Sequence, residues 1–159
     1  AGDDLVIGGE SGDVIYGGDG NDRIRGGEGD DVVYGEGGND VIFAGPGDDK
    51  VFGGEGDDQI FGEEGEDVLL GEDGNDTISG GADDDTLSGG TGDDTLHGDE
   101  GDDLIMGDAG RDDIKGGDGN DVIVGGEDED IVDAATATTS TTAARGTIPT
   151  IFRRRWRTQ

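Results

Sequence analysis

The chain has 159 residues, of which 37 are Gly, and its 42 Asp and Glu face only 10 Lys and Arg, for a formal net charge of −32. Hydrophobic residues supply 28% and aromatics 4%, well short of the roughly 45–50% apolar content of an ordinary globular domain, which argues against a conventional layered core. Two Pro and no Cys exclude collagen, a disulfide framework and thiolate metal sites, and aliphatic runs such as Leu5-Val6-Ile7 fall far below the ~20 residues of a transmembrane helix. Composition alone describes a disordered acidic polymer. The order of the residues does not.

From Gly2 to Asp133 the chain is built of nine-residue blocks without one insertion or deletion: a partial block at 2–7 and fourteen full blocks at 8–133. Gly17-Gly18-Asp19-Gly20-Asn21-Asp22-Arg23-Ile24-Arg25 is one block and Gly116-Gly117-Asp118-Gly119-Asn120-Asp121-Val122-Ile123-Val124 another. Position six is Asp in all fifteen: Asp4, Asp13, Asp22, Asp31, Asp40, Asp49, Asp58, Asp67, Asp76, Asp85, Asp94, Asp103, Asp112, Asp121 and Asp130. Position eight is always Val, Ile or Leu. Position four is Gly except at Ser11, Asp83 and Asp128, and position one is Gly except at Ala44. Position two is looser, with Glu36, Glu63, Glu72, Asp99 and Asp108 replacing Gly. Such a phase points to position-specific chemistry.

Each block divides into a six-residue turn and a three-residue strand. Positions seven to nine are often β-branched or aromatic, as in Val32-Val33-Tyr34 and Val41-Ile42-Phe43, which suits a short strand. Side chains alternate across a strand, so the aliphatic position eight faces inward and positions seven and nine outward. The glycines give the turn its freedom to adopt positive φ.

Position six then stands at the end of each turn, just before the strand. Stacked turns set these carboxylates in ladders on the outside of a coil, with strands ~4.8 Å apart. Two unit charges at 4 Å repel by ~4 kcal/mol at an effective dielectric near 20, so the ladders hold the chain open unless cations sit between the rungs. Hard carboxylate and carbonyl oxygens favour Ca²⁺, whereas Mg²⁺ demands stricter geometry and keeps its waters. Zinc finds no Cys and one His, His97, and is disfavoured.

The block reads G-G-x-G-x-D-x-U-x, with U an aliphatic residue, and over residues 2–133 the chain resembles the RTX, or haemolysin-type, calcium-binding repeat. The resemblance implies an all-β fold: a right-handed parallel β-roll with two blocks per turn and two parallel sheets. It also implies several calcium ions, held by the position-six carboxylates and by backbone carbonyls of the turn glycines Gly20, Gly29, Gly38, Gly47, Gly56, Gly65, Gly74, Gly92, Gly101, Gly110 and Gly119. A site of this kind joins alternate blocks, pairing Asp22 with Asp40 and Asp31 with Asp49. Asp83, Asp128 and Arg111 beside Asp112 depart from the pattern. Family members are exported by bacterial type I secretion and include toxins, zinc proteases, lipases, alginate epimerases and surface proteins, with the activity in another domain.

Block parity then assigns the inward residues. One sheet takes Val6, Ile24, Ile42, Ile60, Ile78, Leu96, Ile114 and Val132, and the other Ile15, Val33, Val51, Leu69, Leu87, Ile105 and Ile123. The outer face of the second sheet carries the column Tyr16, Tyr34, Phe52 and Leu70, an apolar patch of the kind that marks interaction sites. It is expected to meet a neighbouring domain, the tail or a second copy.

After Asp133 the acids stop. Residues 134–144 read as a Thr/Ala-rich linker, and residues 145–159 as a basic tail with five Arg and Trp156, open to contact with anionic lipid or with the acidic repeats. No nucleic-acid signature accompanies it. Catalytic constellations are missing too. H-E-x-x-H needs two His, no Ser lies in G-x-S-x-G, no phosphate loop occurs and the EF-hand pattern fails. The expected function is calcium binding by a non-catalytic module of a secreted bacterial protein, folded by calcium outside the cell. The alternatives are the C-terminal part of a larger toxin or enzyme, which Ala1 in place of an initiator Met suits, and an adhesive or surface protein.

Overall fold

The computed structural model describes residues 1–133; the expected linker at 134–144 and basic tail at 145–159 lie outside the described residues. Fifteen strands follow one another: β1 (Leu5–Gly9), β2 (Val14–Asp19), β3 (Arg23–Gly27), β4 (Val32–Gly37), β5 (Val41–Pro46), β6 (Lys50–Glu55), β7 (Gln59–Glu64), β8 (Val68–Asp73), β9 (Thr77–Ala82), β10 (Thr86–Thr91), β11 (Thr95–Glu100), β12 (Leu104–Ala109), β13 (Asp113–Asp118), β14 (Val122–Glu127) and β15 (Ile131–Asp133). Odd-numbered strands form an eight-stranded sheet and even-numbered strands a seven-stranded sheet, each in sequence order. All pairs are parallel, and partners lie eighteen residues apart, as in Val14 with Val32 and Tyr16 with Tyr34. Two blocks therefore make one turn of a β-solenoid, and parity assigns each block to its sheet as the sequence predicts.

The strands are longer than expected. Most run for six residues, from position seven through position three of the next block, and the turn shrinks to positions four to six. Gly and Asp favour strands poorly by themselves. Stacking overrides that preference, because positions two and three find parallel partners one turn away, Gly18 with Glu36 and Asp19 with Gly37. The turns are tied in the same direction. Gly20 N–H donates to the Gly37 carbonyl at 2.7 Å, and Val41 N–H to the Asp22 carbonyl at 2.9 Å.

The core is a double stack of position-eight side chains. Ile24, Val33, Ile42 and their successors through Ile123 are fully buried, and only at the first turn does Val6 stay half-buried. Position one also faces inward, so the interior repeats carboxylate, aliphatic residue and glycine. One aliphatic side chain in nine residues contributes ~1.5–3 kcal/mol, and it cannot offset the conformational entropy of ordering nine residues. Further stabilisation has to come from the turns.

Among the described residues seven non-Gly residues hold positive φ, between 71° and 84°, and all are acidic: Glu36, Glu63, Glu72, Asp83, Asp99, Asp108 and Asp128. Asp83 and Asp128 thus keep the left-handed turn that Gly makes at position four in other blocks. Across the seven-stranded sheet, position two alternates as Gly18, Glu36, Gly54, Glu72, Gly90, Asp108 and Gly126. A Cβ at Gly54 would fall against the Glu36 carbonyl.

Candidate metal centre

The position-six carboxylates do not line the outside of the coil. From Asp22 to Asp121 each is about 1–2% exposed, with Asp130 at 8%; Asp4 is exposed and Asp13 half-buried. The outward placement expected from the sequence is corrected here, because the shortened turn makes position six alternate with position eight, and both then point inward.

From Asp22 onward each of these side chains is anchored by the preceding turn. Asp4 N–H donates to Asp22 Oδ1 at 2.7 Å, Asp22 N–H to Asp40 Oδ1 at 2.7 Å and Asp40 N–H to Asp58 Oδ1 at 2.8 Å. The series continues through Asp76 and Asp94 to Asp112 and Asp130. A second series runs along the other edge of the roll from Asp13 through Asp31, Asp49, Asp67, Asp85 and Asp103 to Asp121. Asp22 and Asp40, and Asp31 and Asp49, are thus direct neighbours.

The second oxygen has no such partner. Oδ2 of Asp22, Asp31, Asp40, Asp49, Asp58, Asp67, Asp76, Asp85, Asp94, Asp103 and Asp112 is buried without a hydrogen bond. Leaving a charged oxygen in that state is costly. Each Oδ2 lies over the position-one residue of its own block. A Cβ on Gly17 would meet Asp22 Oδ2 at 2.7 Å and the Gly35 carbonyl at 2.8 Å, and one on Gly35 would meet Asp40 Oδ2 and the Gly53 carbonyl. One carboxylate oxygen and one carbonyl oxygen from the next turn therefore close together on the glycine Cα and leave no room for a Cβ.

These donors fit calcium. They are hard oxygens, one carries charge, and its remaining valence is unmet inside the fold. Among the described residues no three Asp, Glu or His side chains cluster as a cage, so carbonyls must complete any coordination sphere. The carbonyl that meets Oδ2 belongs to position one, which sequence reasoning did not single out. The glycines it did single out occupy the turn at positive φ, 103° at Gly29 and 152° at Gly119. At Gly20, Gly38, Gly47 and Gly56 their carbonyls lie against the Cα of Gly38, Gly56, Gly65 and Gly74, one turn on.

The electrostatics agree with the burial. Desolvation pushes Asp49, Asp76 and Asp103 up to about 6 and Asp58, Asp67, Asp85 and Asp112 to about 7, with the donated N–H pulling the other way and neighbouring carboxylates adding to the rise. The same burial raises Asp31, Asp40, Asp94, Asp121 and Asp130. Burial therefore makes each of these groups hold a proton more readily than an exposed Asp does.

A second ladder went unread in the sequence. Position-five side chains on the solvent side accept from the following turn: Asn39 N–H donates to Asn21 Oδ1 at 2.8 Å, Asp57 N–H to Asn39 Oδ1 at 3.1 Å and Asn75 N–H to Asp57 Oδ1 at 2.9 Å. Arg111 sits on this ladder. Its N–H and its guanidinium both reach Asp93, at 3.0 and 2.6 Å, and leave Asp112 free of an ion pair. Position six reaches back one turn and position five reaches forward, so adjacent residues clamp each rung from both sides. The signal was present as Asn or Asp at eleven of the fifteen position-five sites.

Comparison with curated proteins finds no match. Comparison with family descriptions finds the RTX calcium-binding nonapeptide repeat (4 copies) at residues 1–33, 16–51, 34–69, 43–78, 61–96, 70–105, 79–114 and 106–136. The overlapping matches leave no block uncovered, and the period they share is the one that stacks the buried carboxylates. The chain therefore belongs to the RTX calcium-binding nonapeptide repeat family, as a structural repeat that binds calcium.

Proposed function

We propose that residues 1–133 are a non-catalytic module of a secreted bacterial protein that folds when it meets calcium outside the cell. The observation that carries this reading is the unbroken run of eleven buried, unpartnered Oδ2 atoms from Asp22 to Asp112. The described residues carry all 42 Asp and Glu of the chain against five Lys and Arg, and the one ion pair among them is Arg111 with Asp93.

Bound calcium would supply that missing positive charge beside the unpartnered Oδ2 atoms. The residues proposed to hold it are the position-six Asp side chains, together with carbonyls of the turn and position-one glycines. The chain's own part is to keep Oδ1 tied to the preceding turn, so that Oδ2 and the next-turn carbonyl already face one another. Without calcium, buried like charges oppose closure of the roll, and a nearly coreless chain stays extended. Because these oxygens come together only between stacked turns, the free energy of binding becomes free energy of folding. Extracellular modules bind calcium at ~10⁻⁴–10⁻³ M, a range suited to a switch thrown on export. The division at Asp133 into roll, linker and basic tail belongs to the same proposal.

Far-UV circular dichroism during a calcium titration, with magnesium as control, tests the reading. A cooperative coil-to-β transition near millimolar calcium and none with magnesium is expected. A chain fully β-structured in chelator at neutral pH overturns it.

A second reading rests on the outer column. Tyr16 and Tyr34, and Tyr34 and Phe52, stack with ring centroids 4.9 Å apart, and Tyr16 is 59% exposed. This column is proposed as the face that meets a neighbouring domain or a second copy, as an adhesive protein or a larger toxin or enzyme would require.

A further inference from the structure

In the seven-stranded sheet Glu36, Gly54 and Glu72 are register partners on β4, β6 and β8, and Tyr34, Phe52 and Leu70 form the neighbouring column. The Tyr34 and Phe52 rings stack at 4.9 Å and 7°. Beside them lies a groove of about 330 Å³, walled by the two rings and floored by Gly54. Glu36 and Glu72 flank Gly54 from either side, ~10 Å apart at two strand spacings. Glu55 and Asp73 complete the lining. All four acids are exposed, and both rings are half-buried.

The charge of this groove is unanswered. Among the described residues the one ion pair is Arg111 with Asp93, so none of the four carboxylates has a counter-charge. Glu36 and Glu72 hold φ at 76° and 78°, where glycine would sit without strain, so acid is kept there against the backbone's preference. Two other grooves among the described residues each include a cation in their lining, Arg25 beside Phe43 and Lys115 beside His97. Lys50 precedes Phe52 on β6 but does not line the Tyr34–Phe52 groove. Aromatic faces next to carboxylates suit arginine, whose guanidinium stacks on a ring while its N–H groups donate to an acid.

We infer that this groove is the docking site of the chain's own basic segment, Ile151-Phe152-Arg153-Arg154-Arg155-Trp156-Arg157. The segment lies outside the described residues, and its composition is what the groove lacks. Residues 134–159 hold five Arg and no acid. Arginines of the segment answer Glu36 and Glu72, and Trp156 lies against the Tyr34–Phe52 stack. The connection is long enough. Residues 134–150 number seventeen and extend up to ~60 Å, whereas β6 lies four strand spacings from β14, or ~19 Å. The inference deepens the outer-column reading above: Tyr16, at the exposed end of the column, does not line the groove and stays open to a partner.

Trp156 is the one Trp of the chain, so its fluorescence reports on the segment in the intact protein. The test is acrylamide quenching of the full chain in calcium, with circular dichroism to confirm the β-roll in each sample. An indole laid against a ring offers the quencher one face instead of two, so quenching is expected at about half that of a free tryptophan amide. Glu36→Gln with Glu72→Gln is expected to restore full quenching. So is Arg153→Gln with Arg155→Gln, which leaves the roll untouched. Glu63→Gln with Glu64→Gln, on the other sheet, is expected to change nothing. Full quenching in the parent, protection that survives the Glu36 and Glu72 pair, or protection lost equally with the Glu63 and Glu64 pair overturns the inference. Protection lost on dilution also overturns it, and gives the groove to the segment of a second copy. A chain already folded in chelator overturns the calcium reading alone, since the quenching comparison needs only the folded roll.

Discussion

The backbone N–H of Asp58 donates to Oδ1 of Asp76, one turn further along, at 2.8 Å, while Asp76 Oδ2 is buried with no partner. One carboxylate thus does two things: its first oxygen pins adjacent turns together, and its second is left for a cation. Substitution can separate the two. Asp76→Asn retains an acceptor for the Asp58 N–H and removes the charge. Asp76→Ala removes both and strands a buried donor, at about 1–3 kcal/mol. Both variants are expected to need more calcium to fold, and Asp76→Ala is expected to be the less stable of the two once folded. Calcium titrations followed by thermal melts distinguish them, and equal melting temperatures would count against the pinning role.

The buried carboxylates set the pH response of the calcium-free chain. Burial raises Asp58, Asp67, Asp85 and Asp112 from 3.8 to about 7, and Asp49, Asp76 and Asp103 to about 6. The folded chain then binds more protons than the unfolded chain between those values, so stability falls as pH rises. It is greatest below the unfolded pKa and is lost as pH rises through about 6 to about 7. In chelator, β-structure is expected to appear on acidification toward about pH 4 and to vanish by neutral pH, where calcium restores it. Circular dichroism in chelator across this range is the check; β-structure that increases with pH would have the wrong sign.

Glu72 holds φ at 78°, a conformation that costs an L-residue roughly 1–2 kcal/mol. Glu72→Gly is expected to stabilise the calcium-loaded roll by about 1 kcal/mol, read as a higher melting temperature. Gly54→Ala, one turn earlier, is expected to do the opposite, since its Cβ would press on the Glu36 carbonyl.

The aromatic column predicts an association phenotype. Replacing Tyr16, Tyr34 and Phe52 together by Thr keeps strand-favouring residues at these positions and removes two ring stacks worth about 0.5–1.5 kcal/mol each. The folded variant is expected to self-associate less, or to lose a partner, in sedimentation velocity with calcium. Identical sedimentation of parent and variant would leave the column with a strand-forming role alone.

Much of this architecture is legible residue by residue. The aliphatic residue at position eight, from Val6 to Val132, declares the inward side of each strand, and the eighteen-residue register follows from two blocks per turn. Position five was harder to read, because Asn21 or Asp57 taken singly looks like an ordinary turn residue. Its acceptor role exists only when Asn39 or Asn75 is brought above it by stacking.

What the sequence determined by itself is the period, the inward aliphatic column and the supply of one carboxylate per block, since each is a local pattern that survives in any stacking of the repeats. What only the tertiary structure decided is where those carboxylates go. Gly and Asp at positions two and three have little strand preference of their own, and they join the sheets because the next turn offers them partners, as Gly37 does for Asp19. That extension shortens the turn, rotates position six inward and buries Asp22 through Asp121. It also packs each Oδ2, with the position-one carbonyl of the next turn, against a position-one glycine Cα.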